Sequence, residues 1–184
     1  MKARALELAR TVDDPVMRLN VLREYAQASV LRSLHESEAF RALSFVGGTA
    51  LRFLYDLPRF SEDLDFSVET LSEYAPEAWL VKLRRDLSFA GFDAVATWND
   101  RKAVHVGWVR IADLLQEAGL APLAEQKLSV KLEIDTRPPS GADTLTRVVN
   151  RHLLVAFRHH DLPSLMAGKV HAPLTRRYPK GRDW

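Results

Sequence analysis

The sequence contains no cysteine in its 184 residues. That excludes disulfides, thiol nucleophiles and every cysteine-ligated zinc or iron–sulfur site, and it suits a reducing compartment. No apolar run approaches the ~18 residues of a membrane-spanning helix. The opening MKARALELAR has neither the apolar stretch nor the small-residue cleavage site of a signal peptide. A soluble, cytoplasmic protein that meets no membrane is therefore expected. Internal repeats and low-complexity linkers are also missing. Net charge is slight, at +2, and aromatic residues make up only 9%.

What is present is ordinary globular material: 47% hydrophobic and 27% charged residues. A chain of this length buries roughly 70% of its unfolded surface, so the core needs no metal staple. The small net charge hides an asymmetry. Residues 150–184 carry seven basic residues against Asp161 and Asp183, a local +5, which leaves −3 on residues 1–149. Four of the six histidines also lie in that basic tail. An acidic body with a basic tail fits a polyanionic partner such as a nucleotide or RNA, and also fits a simple solvated basic face.

Periodicity predicts helix over residues 1–35, with Val16, Leu19, Leu22, Tyr25 and Ala26 as its apolar stripe and Asp13-Asp14-Pro15 as a start signal. LSFV at 43–46 reads as a short strand that stops at Gly47-Gly48, and TALRFLY behind it reads as a short helix. DLDFSV at 63–68 alternates as a strand should. Pro76 opens a helix running to about Ala90. Strands are expected at 92–98 and 103–110 about an Asn99-Asp100 turn, and a short helix at 111–118. KLSVKLEIDTR at 127–137 gives the cleanest alternation, followed by a Pro-Pro-Ser-Gly loop. One or two strands fall within 145–160, and a helix begins near Leu162-Pro163. The order predicts a mixed α/β, α+β fold. A helical segment over 1–42 packs on a core over 43–160, and a basic helical segment follows over 161–184.

The densest chemical signal lies between Phe45 and Phe66. Gly47 and Gly48 sit between a strand and a helix, where backbone can approach an anion and the helix N-terminus favours negative charge. Thr49 adds a hydroxyl donor and a candidate N-cap. Asp63 and Asp65, two apart on a strand, point to one face about 6.6 Å apart at ~3.3 Å per residue. Two carboxylates so spaced can converge on one Mg2+. Glu133 and Asp135 share the polar face of the later strand with Lys131. If that strand pairs beside 63–68, a third acid joins the pair, the arrangement used for in-line phosphoryl or nucleotidyl displacement.

Gly47-Gly48-Thr49, thirteen intervening residues and Asp63-Leu64-Asp65 resemble the signature of the DNA polymerase beta-type nucleotidyltransferases. The fuller stretch GGTALRFLYDLPRFSEDLDF resembles the AbiEii/AbiGii toxin family, the nucleotidyltransferase half of type IV toxin–antitoxin systems. Arg59, Ser61, Asp63, Asp65 and Phe66 fall on that family's RxSxDLDF pattern. The likeness continues at Lys131–Arg137, resumes at Leu165–Ala172 and again at Arg182-Asp183, so that it spans residues 43–184. It implies a nucleotidyltransferase fold with N-terminal helices and a short C-terminal part. Gly47, Gly48 and Thr49, with Arg59, Ser61 and Lys169, would bind the nucleotide. Asp63 and Asp65 would hold Mg2+ or Mn2+, with Glu133 the preferred third acid and Asp135 its competitor. Asp183 would complete the polar site. Relatives carry a longer helical C-terminal part, and Pro173 and Pro179 should interrupt the helix beyond Lys169.

The implied activity is transfer of a nucleotide from a nucleoside triphosphate to an acceptor hydroxyl, with release of pyrophosphate. The resemblance points to the 3′ end of tRNA as acceptor and to a cognate antitoxin as partner. Two alternatives stand beside it: transfer to a protein side chain, and a catalytically impaired nucleotide-binding interaction module.

Overall fold

Asp14 and Pro15 divide the N-terminal helical stretch in two. In the computed structural model, which describes residues 1–123 and 125–175, α1 (Lys2–Arg10) stops short of them and α2 (Pro15–Glu36) begins at the proline. The Asp14 carboxylate accepts a 2.7 Å hydrogen bond from the Met17 amide, and Pro15 takes the first helical position, where its missing N–H costs nothing. Of the expected stripe, Leu22, Tyr25 and Ala26 are buried, while Val16, in the first turn, is left 68% exposed.

Then come β1 (Leu43–Val46), α3 (Gly47–Tyr55), β2 (Asp63–Val68) and α4 (Pro76–Phe89). They are followed by the antiparallel β3 (Ala94–Asn99) and β4 (Val104–Ile111), one-turn α5 (Leu114–Glu117) and β5 (Leu128–Asp135). The described part closes with β6 (Thr144–Arg151), β7 (Leu153–His160) and α6 (Leu162–Thr175). Two expectations change. α3 begins at Gly47 itself with Val46 at its cap, so Thr49 lies inside the helix and caps nothing. α6 also continues through Pro173 to Thr175 instead of breaking there. Pro179, Arg182 and Asp183 lie outside the described residues.

The seven strands form one mixed sheet in the order β3-β4-β5-β2-β1-β7-β6. β1 runs antiparallel to β2 and parallel to β7, and β2 runs parallel to β5. Strand alternation gives the sheet two unlike faces. One carries Leu43, Phe45, Leu64, Phe66, Leu132, Ile134, Val155 and Phe157, and it forms the core with residues of α2, α3 and α4. At its centre the Phe45 ring lies 5.2 Å from that of Phe157 and 5.5 Å from that of Phe66. Such ring pairs add about 0.5–1.5 kcal/mol each beyond the area they bury. The other face carries Asp63, Asp65, Ser67 and Glu133, and there the sheet opens into a cleft.

No described helix is long and apolar enough to cross a membrane.

Candidate active site

The register of β2 against β5 decides which acids meet. Asp65 is paired with Glu133 and Asp63 with Lys131, on strands ~4.8 Å apart. Asp63, Asp65 and Glu133 therefore share one face and line one cleft of about 540 Å³. Asp135 sits opposite Ser67, but its carboxylate turns to accept a 2.9 Å hydrogen bond from the Arg137 amide, and it does not line the cleft. Of the two competing third acids, Glu133 is the one on the cleft wall.

Beside these acids lies the N-terminus of α3. Gly47 has φ +77°, and a Cβ there would stand 2.2 Å from Asp65 Oδ2. Only glycine lets the carboxylate lie against this backbone. Gly47→Ala is expected to cost about 1–3 kcal/mol from the left-handed backbone alone and to push Asp65 out of line. Thermal melting and nucleotide binding by calorimetry check it, with both lowered together. A Cβ on Gly48 would meet Ser61 Oγ at 3.0 Å and Lys169 Nζ at 3.8 Å. The first turn of α3, whose amides have no side-chain cap, is thus joined by a hydroxyl from the β2 approach and an ammonium from α6. Arg59 adds a second cation to the lining. Amides, an ammonium and a guanidinium around one hollow suit a polyphosphate.

Thr49 does not open onto this hollow. It is fully buried, and its hydroxyl donates to the Asp63 carbonyl, tying α3 to the start of β2. Asp183 lies outside the described residues.

The acids suit a hard divalent cation in part. Asp63 and Asp65 are oxygen donors on one strand face, and Mg2+ takes one or two protein carboxylates and completes its shell with phosphates and water. Glu133 Oε1 pairs with Lys131 Nζ at 2.5 Å. Among the described residues no three acids or histidines are gathered closely enough to hold a metal ion. The donor set fits a cation brought with its phosphates better than a pre-formed cage.

Several residues that shape the cleft were not singled out as site residues by the sequence. His160, at the end of β7, lines it and pairs through Nε2 with Glu69 Oε1 at 2.9 Å. The Pro138–Ala142 loop forms a lip. The lip is held to the start of α6 by the Asp161 amide donating to the Asp143 carbonyl (2.9 Å) and the Asp143 amide donating to Ser164 Oγ (3.1 Å). The segment leading to Ser61 is fixed from behind. Gln27 of α2, 1% exposed, donates through Nε2 to the Ser61 and Glu62 carbonyls, both at 3.0 Å. Arg52 of α3 donates to the Leu57 and Pro58 carbonyls and lies 3.6 Å over the Phe60 ring. Buried Glu24 accepts from Arg52, and from His152 Nε2 at 2.9 Å, and pairs with Arg151 Nε at 3.3 Å. The only sequence hint was a glutamate, a glutamine and an arginine on otherwise apolar helix faces.

A family model described as nucleotidyl transferase AbiEii toxin, type IV TA system, matches residues 29–184. Among curated proteins there is no significant match. The crystal structure of JHP933 from Helicobacter pylori superposes with a TM-score of 0.55 at 21% identity, covering 89% of this chain and 62% of that one. A second H. pylori structure, described provisionally as a nucleotidyltransferase, gives 0.53 at 22% identity over 85% of this chain and 61% of that one. Likeness at this identity speaks for the fold. The chain spans about three-fifths of the length of both structures.

Proposed function

The chain belongs to the AbiEii nucleotidyl transferase toxin family of type IV toxin–antitoxin systems, and from that premise we propose that it transfers a nucleotidyl group from a nucleoside triphosphate to the 3′-terminal hydroxyl of a tRNA. The observation that carries the reading is that one cleft joins two kinds of group. The Gly47-Gly48 turn, Ser61 and Lys169 line it, and so do Asp63, Asp65 and, in register with Asp65, Glu133.

In this reading the amides of α3, Lys169 and Arg59 hold the β- and γ-phosphates. They neutralise the charge that builds on the departing pyrophosphate, where fixed donors act without reorganising. Ser61 hydrogen-bonds a phosphate oxygen, and Asp183 completes the polar site. The acceptor oxygen bonds to the α-phosphorus as the bond to the pyrophosphate oxygen breaks, and the hydroxyl proton leaves to Glu133 or to water. A Mg2+ or Mn2+ ion held by Asp63 and Asp65 would neutralise the triphosphate and acidify the attacking hydroxyl. A cognate antitoxin holding this activity in check, in the cytoplasm, completes the proposal.

The Lys131–Glu133 pair favours one other reading, a nucleotide-binding module whose third acid is engaged by a lysine. Incubation with Mg2+, each labelled triphosphate and total tRNA separates both from transfer to a protein. Label on tRNA that vanishes in Asp65→Ala supports transfer to RNA, and label on protein supports protein modification. Nucleotide binding without any transfer supports the impaired module.

A further inference from the structure

The sheet face that carries the acids continues past them onto β4 and β3. Trp108 on β4 is paired directly with Lys131 on β5, and Lys131 with Asp63 on β2. The three form one row across adjacent strands on the cleft face, with the tryptophan two strand spacings, about 10 Å, from Asp63. The Trp108 indole is half-buried. The Arg110 guanidinium lies 5.4 Å and the Lys131 ammonium 5.8 Å from its ring centroid. Beyond it, β3 offers Thr97 opposite Trp108 and Val95 opposite Arg110, both exposed, and Arg110 donates to Thr97 Oγ1 at 3.4 Å. An aromatic ring with two cations set over it, beside the exposed Val95 and Thr97 of β3, has the make-up of a platform for a single-stranded nucleic acid. Bases stack on such a ring while cations meet the backbone phosphates.

Direction supplies the second argument. In an in-line displacement the entering and leaving oxygens stand on opposite sides of the phosphorus. With the polyphosphate in the Gly47, Gly48, Lys169 hollow, the acceptor comes from the other side of Asp63 and Asp65. That side is the β5-β4-β3 face. We propose that Trp108 stacks on a base near the single-stranded 3′ end of the acceptor RNA, with Arg110 and Lys131 contacting its phosphates. The proposal rests on the transferase reading for its orientation, but its test does not depend on turnover.

The test uses the full chain and a fluorescein-labelled single-stranded RNA of about eight nucleotides, within the site size of such platforms, followed by fluorescence anisotropy. Trp108→Ala is expected to weaken RNA binding about tenfold, the usual loss for one stacked base, and Trp108→Phe to retain most of it. The nucleoside triphosphate affinity of both should stay at the wild-type value. Thr97→Glu changes only an exposed strand position and sets a carboxylate beside Arg110. It should weaken RNA binding by a similar factor and reduce its salt dependence, which keeps the test sharp should Trp108→Ala fold poorly. Wild-type RNA affinity in Trp108→Ala and Thr97→Glu overturns the proposal, as does an equal loss of triphosphate affinity or no RNA binding by the wild-type chain. A Trp108-dependent RNA complex with no transfer would sink the transferase reading alone. Transfer to tRNA whose acceptor KM ignores Trp108 would sink this proposal alone.

Discussion

Asp65→Asn is expected to lower nucleotidyl transfer about a thousandfold, equivalent to about 4 kcal/mol of transition-state stabilisation, while leaving the folded structure in place. The asparagine keeps the volume and the β-strand geometry of the residue it replaces. It keeps its place against Gly47, where the Asp65 carboxylate occupies the space a Cβ would take. What it removes is one negative charge from a strand face that also carries Asp63 and, in register, Glu133. With that charge gone, two carboxylates and a lysine remain to meet a cation and its phosphates, and Lys131 already engages one of them. Initial-rate measurements with labelled triphosphate and tRNA check the size of the loss, and circular dichroism checks the fold. A rate within tenfold of wild type would mean that Asp65 is not among the residues that set the charge at the reacting phosphorus.

The second large effect concerns stability. Glu24→Gln is expected to destabilise the fold by about 3–5 kcal/mol, the usual cost of leaving buried charges without their partner. At ~2–4 °C per kcal/mol for a chain of this size, the melting temperature should fall by roughly 10 °C. Glu24 is 5% exposed and sits among Arg52, Arg151 and His152. Burial alone would raise its pKa, but hydrogen bonds from His152 and Arg52 and the charges of Arg151 and Arg52 outweigh it and bring it down to about 2.

A carboxyl whose folded pKa lies below its unfolded value binds its proton more readily in the unfolded chain. The stability it contributes is therefore whole above the unfolded value of 4.5 and is lost as pH falls from there through about 2. Wild type should lose melting temperature steadily over that acid range, and Glu24→Gln should lose much less. Parallel curves for the two would show that the ion pairs around Glu24 contribute little. The same network holds the Leu57 and Pro58 carbonyls through Arg52. Glu24→Gln should for that reason also loosen the segment that brings Arg59 and Ser61 to the cleft.

Much of the site was legible in the sequence because each part of it obeys a local rule. The alternation of DLDFSV determines which way Asp63 and Asp65 point, whatever the partner strand, and KLSVKLEID carries the same information for Glu133. Which strand lies beside β2 was not legible. Pairing of residue 65 with residue 133 is a non-local choice among seven strands, and it entered only as a condition that the sheet order then met. Periodicity alone did not separate Glu133 from Asp135, since both share the polar face, and the preference for Glu133 came from the resemblance. That Glu133 and not Asp135 lines the cleft goes with a backbone amide two residues downstream that takes the Asp135 side chain.

Thr49 misled for the opposite reason. A threonine after two glycines looks like a cap, but α3 starts two residues earlier and turns that hydroxyl inward to the Asp63 carbonyl. Residues whose work is to hold the cleft from behind, such as Gln27 and Arg52, carry no spacing rule at all. Their role exists only once α2 and α3 lie next to the 56–62 segment.

The sheet order has one more consequence, for the order in which the chain is made. β1, α3 and β2 lie within residues 43–68, yet β2 gains its other neighbour only when β5 has emerged. Lys169 follows some thirty-five residues after Glu133. A ribosome-bound chain short of residue 169 holds the Gly47-Gly48 turn and the two aspartates without the ammonium that lines the same cleft. Under the proposed function, a chain cut before residue 169 would keep the acids but bind a triphosphate less tightly.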